Sequence, residues 1–261
     1  MNPVDLIWMH KTKHNYKRLI EIDMLRGLAI LFMIFGHILW DLDYFGVIPM
    51  NSIIYSTLQK TIPPLFFILV GMSLIVSRKK KTLTPEEEKK YHEKLIIRGL
   101  KIFNLGMLLT IFSLMFFPEK PVFFGVLHCI GLSIILSVPF LKHRHYGILF
   151  ATTIIATWAL TSQINIENPN ILQLAFGLHQ SNIWMHTVDY FPLIPWFGVT
   201  LLGITIGNIL YCGNKRKFKI PDLSRYRPAK IISWIGQHSL EIYLIHQPLI
   251  AGLMYIFLKT V

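Results

Sequence analysis

Two cysteines among 261 residues, Cys129 and Cys212, leave no material for a disulfide framework or a thiolate metal site. No apolar segment carries two histidines one helical turn apart, so a histidine-bound metal is not expected either. Acidic residues are scarce, 14 against 26 Lys and Arg, giving a formal net charge of +12. No RNA- or DNA-binding pattern accompanies that excess, and the basic residues fall between apolar runs, where orientation signals belong; nucleic acid is not an expected partner. The N-terminus lacks the short apolar core and cleavage site of a signal peptide, so the first helix is expected to be retained. No internal repeat is visible, which weighs against an inverted-repeat transporter.

What is present is apolar. Hydrophobic residues make up 53% of the chain and the mean hydropathy is +0.49, with several runs near the ~20 residues that cross a bilayer. The expected fold class is all-α: a polytopic integral membrane helix bundle of about seven transmembrane helices, N-terminus cytoplasmic, forming one domain over 1–261. Spans are expected near 24–40, 61–77, 95–117, 122–141, 146–160, 191–211 and 239–258. The basic tail 1–20 (Lys11, Lys13, Lys17, Arg18), the loops 78–94 and 212–230, and the KHRH turn at 142–145 then fall inside. Residues 161–190 contain no Lys or Arg and form the extracytoplasmic loop. This arrangement leaves only Lys60, Lys120 and Lys259, of the 26 Lys and Arg, on the outer side. An additional interfacial or re-entrant element around 46–60 or 168–184 is compatible with it. Local signals add detail: Pro63 and Pro64 suit the first turn of a helix, Thr84 with Glu86 and Glu87 reads as a helix start, and a break is expected at Gly236-Gln237.

The first span is the anomaly. Within RLIEIDMLRGLAILFMIFGHILWDLD, residues 18–43, stand Asp23, Arg26, His37 and Asp41, and polar groups in a bilayer are costly unless they have partners or a task. On a helix, Arg26 and His37 are separated by about three full turns, so they share a face roughly 16 Å apart along the axis. Asp23 and Asp41 fall near the same stripe. Arg26 can be a snorkelling topology anchor or can grip an anion such as a phosphate with paired donors, with Asp23 orienting it.

Elsewhere the intramembrane polar groups are His128, Glu241, His246 and Gln247, with Asp189 at the entrance to the sixth span. Imidazole can give and take a proton near neutral pH, which makes His37, His128 and His246 candidates for chemistry; a lone membrane histidine also serves as a packing partner. Ser239 and Glu241 read as caps of the last helix, and Asp189 as a helix cap or as a contact to an external substrate.

Taken together, these blocks resemble a known family. Arg26 followed after ten residues by His37 resembles the first helix of the transmembrane acyltransferase superfamily, whose type-3 branch carries an arginine and a histidine at this spacing. More closely, the R-x4-D-x2-RG start, PPLFFILVG at 63–71, GVLH at 125–128, DYFPLIPWFG at 189–198 and GQHSLEIYLIHQP at 236–248 look like the small prokaryotic relatives of heparan-alpha-glucosaminide N-acetyltransferase, its catalytic-domain family. The human-type enzyme places its catalytic histidine in the loop after this helix. Residues 44–60 contain no histidine here, so the role carries over to His37 from the type-3 pattern.

The resemblance implies a plasma-membrane acyltransferase. An acyl-CoA, acetyl-CoA above all, is supplied from the cytoplasm, and the acceptor is a sugar or glycan hydroxyl or amine outside. His37 would act as general base or acyl carrier, Asp41 would set its tautomer, and His128 or His246 would polarise the thioester or relay the proton. Asp23, Arg26, Asp189, Trp196 and Ser239 are the candidate binding residues. The partners are then acyl-CoA, the acceptor and the lipid bilayer, with a homo-oligomer compatible. Two other classes stay open at this point: a proton-linked carrier or translocator of a small or lipid-linked sugar, and a structural membrane subunit whose polar seam is closed by side-chain pairs.

Overall fold

The computed structural model describes residues 19–49, 51–78, 84–116, 118–142, 144–212 and 215–260. The basic tail with Lys11, Lys13, Lys17 and Arg18, and the Lys79–Lys81 run, lie outside the described residues. The described residues are mostly helical, and among them four helices are long and apolar enough to cross a membrane: α1 (Ile20–Tyr44), α2 (Ser52–Ser77), α3 (Pro85–Phe116) and α7 (Leu193–Leu210). Between them lie α4 (Val126–Leu136), α5 (Arg144–Thr161) and the short α6 (Ile171–Phe176). A two-residue hairpin, β1 (Tyr211–Cys212) with β2 (Lys215–Arg216), leads to α8 (Arg227–Gln237) and α9 (Ser239–Thr260).

Two expected spans differ in a way that matters. α2 begins at Ser52, so Pro63 and Pro64 lie inside it rather than in its first turn. Asn51 explains the early start, because its Oδ1 accepts the free N–H groups of Ile53 and Ile54. The segment once open to an interfacial element at 46–60 is therefore largely the beginning of α2. The apolar run 122–141 yields an α4 of only 11 residues, about 16 Å against a hydrocarbon core of about 30 Å. Residues before it run extended instead: Phe124 bridges Tyr190, and its carbonyl accepts the N–H of Phe191. That pairing satisfies backbone groups no lipid could satisfy.

The helix start expected at Thr84 matches the structure. Thr84 and Glu87 exchange backbone and side-chain hydrogen bonds at the start of α3, a reciprocal cap. The break expected at Gly236-Gln237 falls instead one residue later, at His238, with both of those residues still helical.

Close helix crossings hold the bundle. At the α2–α7 crossing, a Cβ on Gly71 would stand 2.1 Å from the Thr200 carbonyl oxygen and one on Gly203 2.2 Å from that of Ile68. Backbones this close are the packing mode of helices that have no hydrophobic driving force between them in lipid. Leu108, Met115 and Phe116 of α3 are 61–72% exposed, an apolar exterior that suits hydrocarbon rather than water. Cys129 is buried against the Pro192 carbonyl and Ser133, far from any disulfide role.

Candidate active site

α1 carries two polar clusters, and each is completed by neighbouring helices. Near its start, Arg26 Nη1 donates to Asp23 Oδ1 at 2.9 Å, and Nη2 donates to Ser73 Oγ of α2 at 2.5 Å. Ser73 in turn donates to the Leu69 carbonyl within its own helix. Asp23 is only 6% exposed, so the ion pair helps to offset the cost of burying its carboxylate. The guanidinium is thus oriented by two side chains rather than trailing toward solvent.

α8 lies directly on this cluster. A Cβ on Gly236 would be 1.8 Å from the Asp23 carbonyl oxygen, and one on Gly27 would be 2.0 Å from that of Ile232. Ala229, Ser233 and Gly236 form the buried stripe of α8 that makes this approach. Beside it, Ile20, Ser224, Lys230, Ser233, Trp234 and Gln237 line a cavity of about 350 Å³. Two residues before Asp23, Glu21 accepts two hydrogen bonds from Arg216, at 2.6 and 2.7 Å, and fastens the β1–β2 hairpin to α1.

The second cluster sits three turns along α1. The ring of His37 lies 4.8 Å from that of His246 on α9, inclined at 59°. His246 Nδ1 is 2.6 Å from the Tyr243 carbonyl; a carbonyl only accepts, so Nδ1 carries the proton and Nε2 is left as a lone-pair base. The residue beside it, Gln247, donates its amide nitrogen to both oxygens of Asp41, at 3.1 and 3.2 Å. Asp41 is 2% exposed. The sequence expectation paired Asp41 with His37; the structure gives this carboxylate to Gln247.

Asp189 and His128 form a third group beyond α9. Asp189 Oδ2 accepts the backbone N–H of Val126 at 3.0 Å and the Tyr243 hydroxyl at 3.4 Å, so it does cap a helix, but α4 rather than α7, the helix it precedes. Gly125 permits the approach, since a Cβ there would be 2.2 Å from that oxygen. Burial pushes the Asp189 carboxyl up to about 6, against the pull of the two donors. His128 Nδ1 accepts the Gly125 N–H at 3.2 Å, and its Nε2 faces Thr110 Oγ1 at 3.4 Å. Nδ1 thus serves the start of α4 while Nε2 faces α3, a packing arrangement.

The remaining predicted residues stand apart from these clusters. Trp196 stacks on Phe67 with centroids 5.0 Å apart and packs against Phe191 in an aromatic core. Ser239 opens α9 with Glu241 in the first turn, roughly 10 Å along the helix from His246. Among the described residues, no three His, Cys, Asp or Glu side chains are gathered closely enough to hold a metal ion. Ser73, Tyr243 and Arg216 had no signal in the linear sequence, because each is defined by a partner on another element. Gln247 did have one: a glutamine beside a histidine within an apolar helix.

Comparison with known proteins places this geometry in context. The family model described as heparan-alpha-glucosaminide N-acetyltransferase, catalytic, matches residues 18–248. No curated protein and no solved structure gives a match. The matched region runs from the start of α1 into α9 and so takes in both polar clusters of α1 with their partners. The chain belongs to the heparan-alpha-glucosaminide N-acetyltransferase catalytic family, a family of membrane acetyltransferases.

Proposed function

We propose that this protein moves an acyl group, acetyl in the first instance, from cytoplasmic acyl-CoA to an extracytoplasmic sugar hydroxyl or amine, in the plasma membrane. The observation that carries the reading is a single helix that holds an oriented arginine at one end and a histidine paired with a second histidine about 16 Å further on. A guanidinium fixed by Asp23 and Ser73 suits a phosphate of the donor. The adjoining cavity, with Lys230 and Trp234 in its wall, has the chemistry to take the donor's charged and aromatic end. The acyl thioester then reaches toward His37.

At His37 two routes fit. As general base, His37 takes the acceptor's proton while the acceptor heteroatom attacks the thioester carbon, and the C–S bond breaks to release CoA thiolate, which receives that proton. As acyl carrier, the imidazole displaces the thiolate first and is itself displaced by the acceptor. In both, the neighbouring lone pair on His246 Nε2 is placed to share the proton. Asp41 and Gln247 hold the end of the helix at this level.

The test uses the purified full chain in sealed vesicles, with labelled acetyl-CoA on one face and a glycan extract on the other. Label on the glycan with matched release of CoA supports the reading. Solute uptake without consumption of acetyl-CoA supports the carrier instead.

A further inference from the structure

His246 and Gln247 each leave one polar atom without a partner. Among the described residues, His246 Nε2 and Gln247 Oε1 are fully covered yet make no hydrogen bond, and His246 as a whole is only 7% exposed. Covered acceptors in this condition are rare, because each has lost its water without gaining a partner. The orientation of both is imposed. The Tyr243 carbonyl requires a proton on Nδ1 of His246, which makes Nε2 an acceptor, and the Asp41 carboxylate requires the NH2 of Gln247 to face it, which turns Oε1 away as an acceptor. The two side chains are adjacent on α9 and face His37 and Asp41, which are adjacent turns of α1.

We infer that Gln247 is a positioning and specificity residue of the acceptor subsite: its NH2 clamps Asp41, and its Oε1, together with His246 Nε2, reads two neighbouring O–H or N–H donors on the acceptor. One donor is on the reacting group, whose proton goes toward the histidine pair; the other belongs to the adjacent carbon and is bound by Gln247 Oε1. A site of two fixed acceptors discriminates against an acceptor with a single donor, because one buried lone pair then stays unpaired. The inference rests on the acyl-transfer reading above.

The experiment compares acetylation of trans-1,2-cyclohexanediol and cyclohexanol by the full chain in nanodiscs with labelled acetyl-CoA, using D-glucosamine as the sugar probe. The wild type is expected to favour the diol by about tenfold in kcat/KM, the worth of one hydrogen bond. Gln247→Met, similar in length, removes the carbonyl together with the NH2 that holds Asp41; it should bring that preference close to one while the KM for acetyl-CoA stays within about twofold. Gln247→Asn, which keeps the amide but withdraws its reach, should behave like Gln247→Met. Equal use of diol and mono-alcohol by the wild type, or a preference retained in Gln247→Met, overturns the inference. Failure of the wild type to acetylate all three probes sinks the acyl-transfer reading itself.

Discussion

The ring of His246 lies 4.8 Å from that of His37, while the next side chain on α9, Gln247, holds both oxygens of Asp41. One turn of α9 thereby fixes two polar groups of α1 at once. A neutral amide does not cancel a carboxylate's charge, so this pairing is costlier to maintain than an ion pair would be. Such an expense in an apolar helix fits the acceptor site proposed for this level of α1.

The Asp23–Arg26 pair separates stability from donor binding. Arg26→Gln removes an ion-pair partner from a carboxylate that is 6% exposed, and the loss should fall near the low end of the roughly 3–5 kcal/mol of a broken buried pair, since the arginine keeps some access to solvent. The double variant Asp23→Asn/Arg26→Gln should recover most of that melting temperature but not the affinity for acetyl-CoA. Recovery of both would show that Arg26 is structural only.

The α1–α8 crossing depends on its glycines. Gly236→Ala and Gly27→Ala drive a methyl into backbone carbonyls at 1.8 and 2.0 Å, contacts that only a backbone shift relieves, so each should cost more than the usual 1–3 kcal/mol of overpacking, or about that at least. Gly252→Ala on α9, where a Cβ meets nothing within 4 Å, should be neutral or slightly stabilising. Melting curves of the three variants in one detergent check this.

Asp189 makes stability fall with rising pH. Its folded carboxyl is raised from 3.8 to about 6 by burial, so the folded form holds a proton that the unfolded form has lost. The resulting stability is full below pH ~3.8 and is lost as pH rises through about 6. Asp189→Asn, which keeps an acceptor for the Val126 N–H, should flatten the melting temperature between pH 4.5 and 7.5. An unchanged slope in that variant removes Asp189 as its source.

The Glu21–Arg216 pair predicts a small effect. Its side chains are 13% and 32% exposed, and a pair open to solvent contributes about 1 kcal/mol or less even when bidentate. Arg216→Ala should therefore shift the melting temperature by only a few degrees, with the difference shrinking in high salt. A collapse of the fold would mean that the hairpin anchors far more than this contact.

How much of this was legible in the sequence depended on how local each signal is. The polar stripe of α1 and the Thr84–Glu87 cap were readable, since spacing along one helix determines them. The length of α4 was not: residues 122–125 are as apolar as a span, and only the pairing of Phe124 with Tyr190 makes them extended. The prolines of α2 suggested a start near 61, whereas the Asn51 cap starts the helix at Ser52, nine positions earlier. The partners of Asp41 and Arg26, Gln247 and Ser73, lie on other helices, so hydropathy and periodicity carry no trace of the pairing.

In the proposed reaction His37 does the chemistry. The direct measurement is release of CoA from acetyl-CoA, with label transfer to the acceptor, by purified His37→Ala whose melting temperature and binding of acetyl-CoA match the wild type. Turnover should fall by at least about a hundredfold, the usual loss when a base or acyl carrier is removed. Turnover equal to that of the wild type would contradict it.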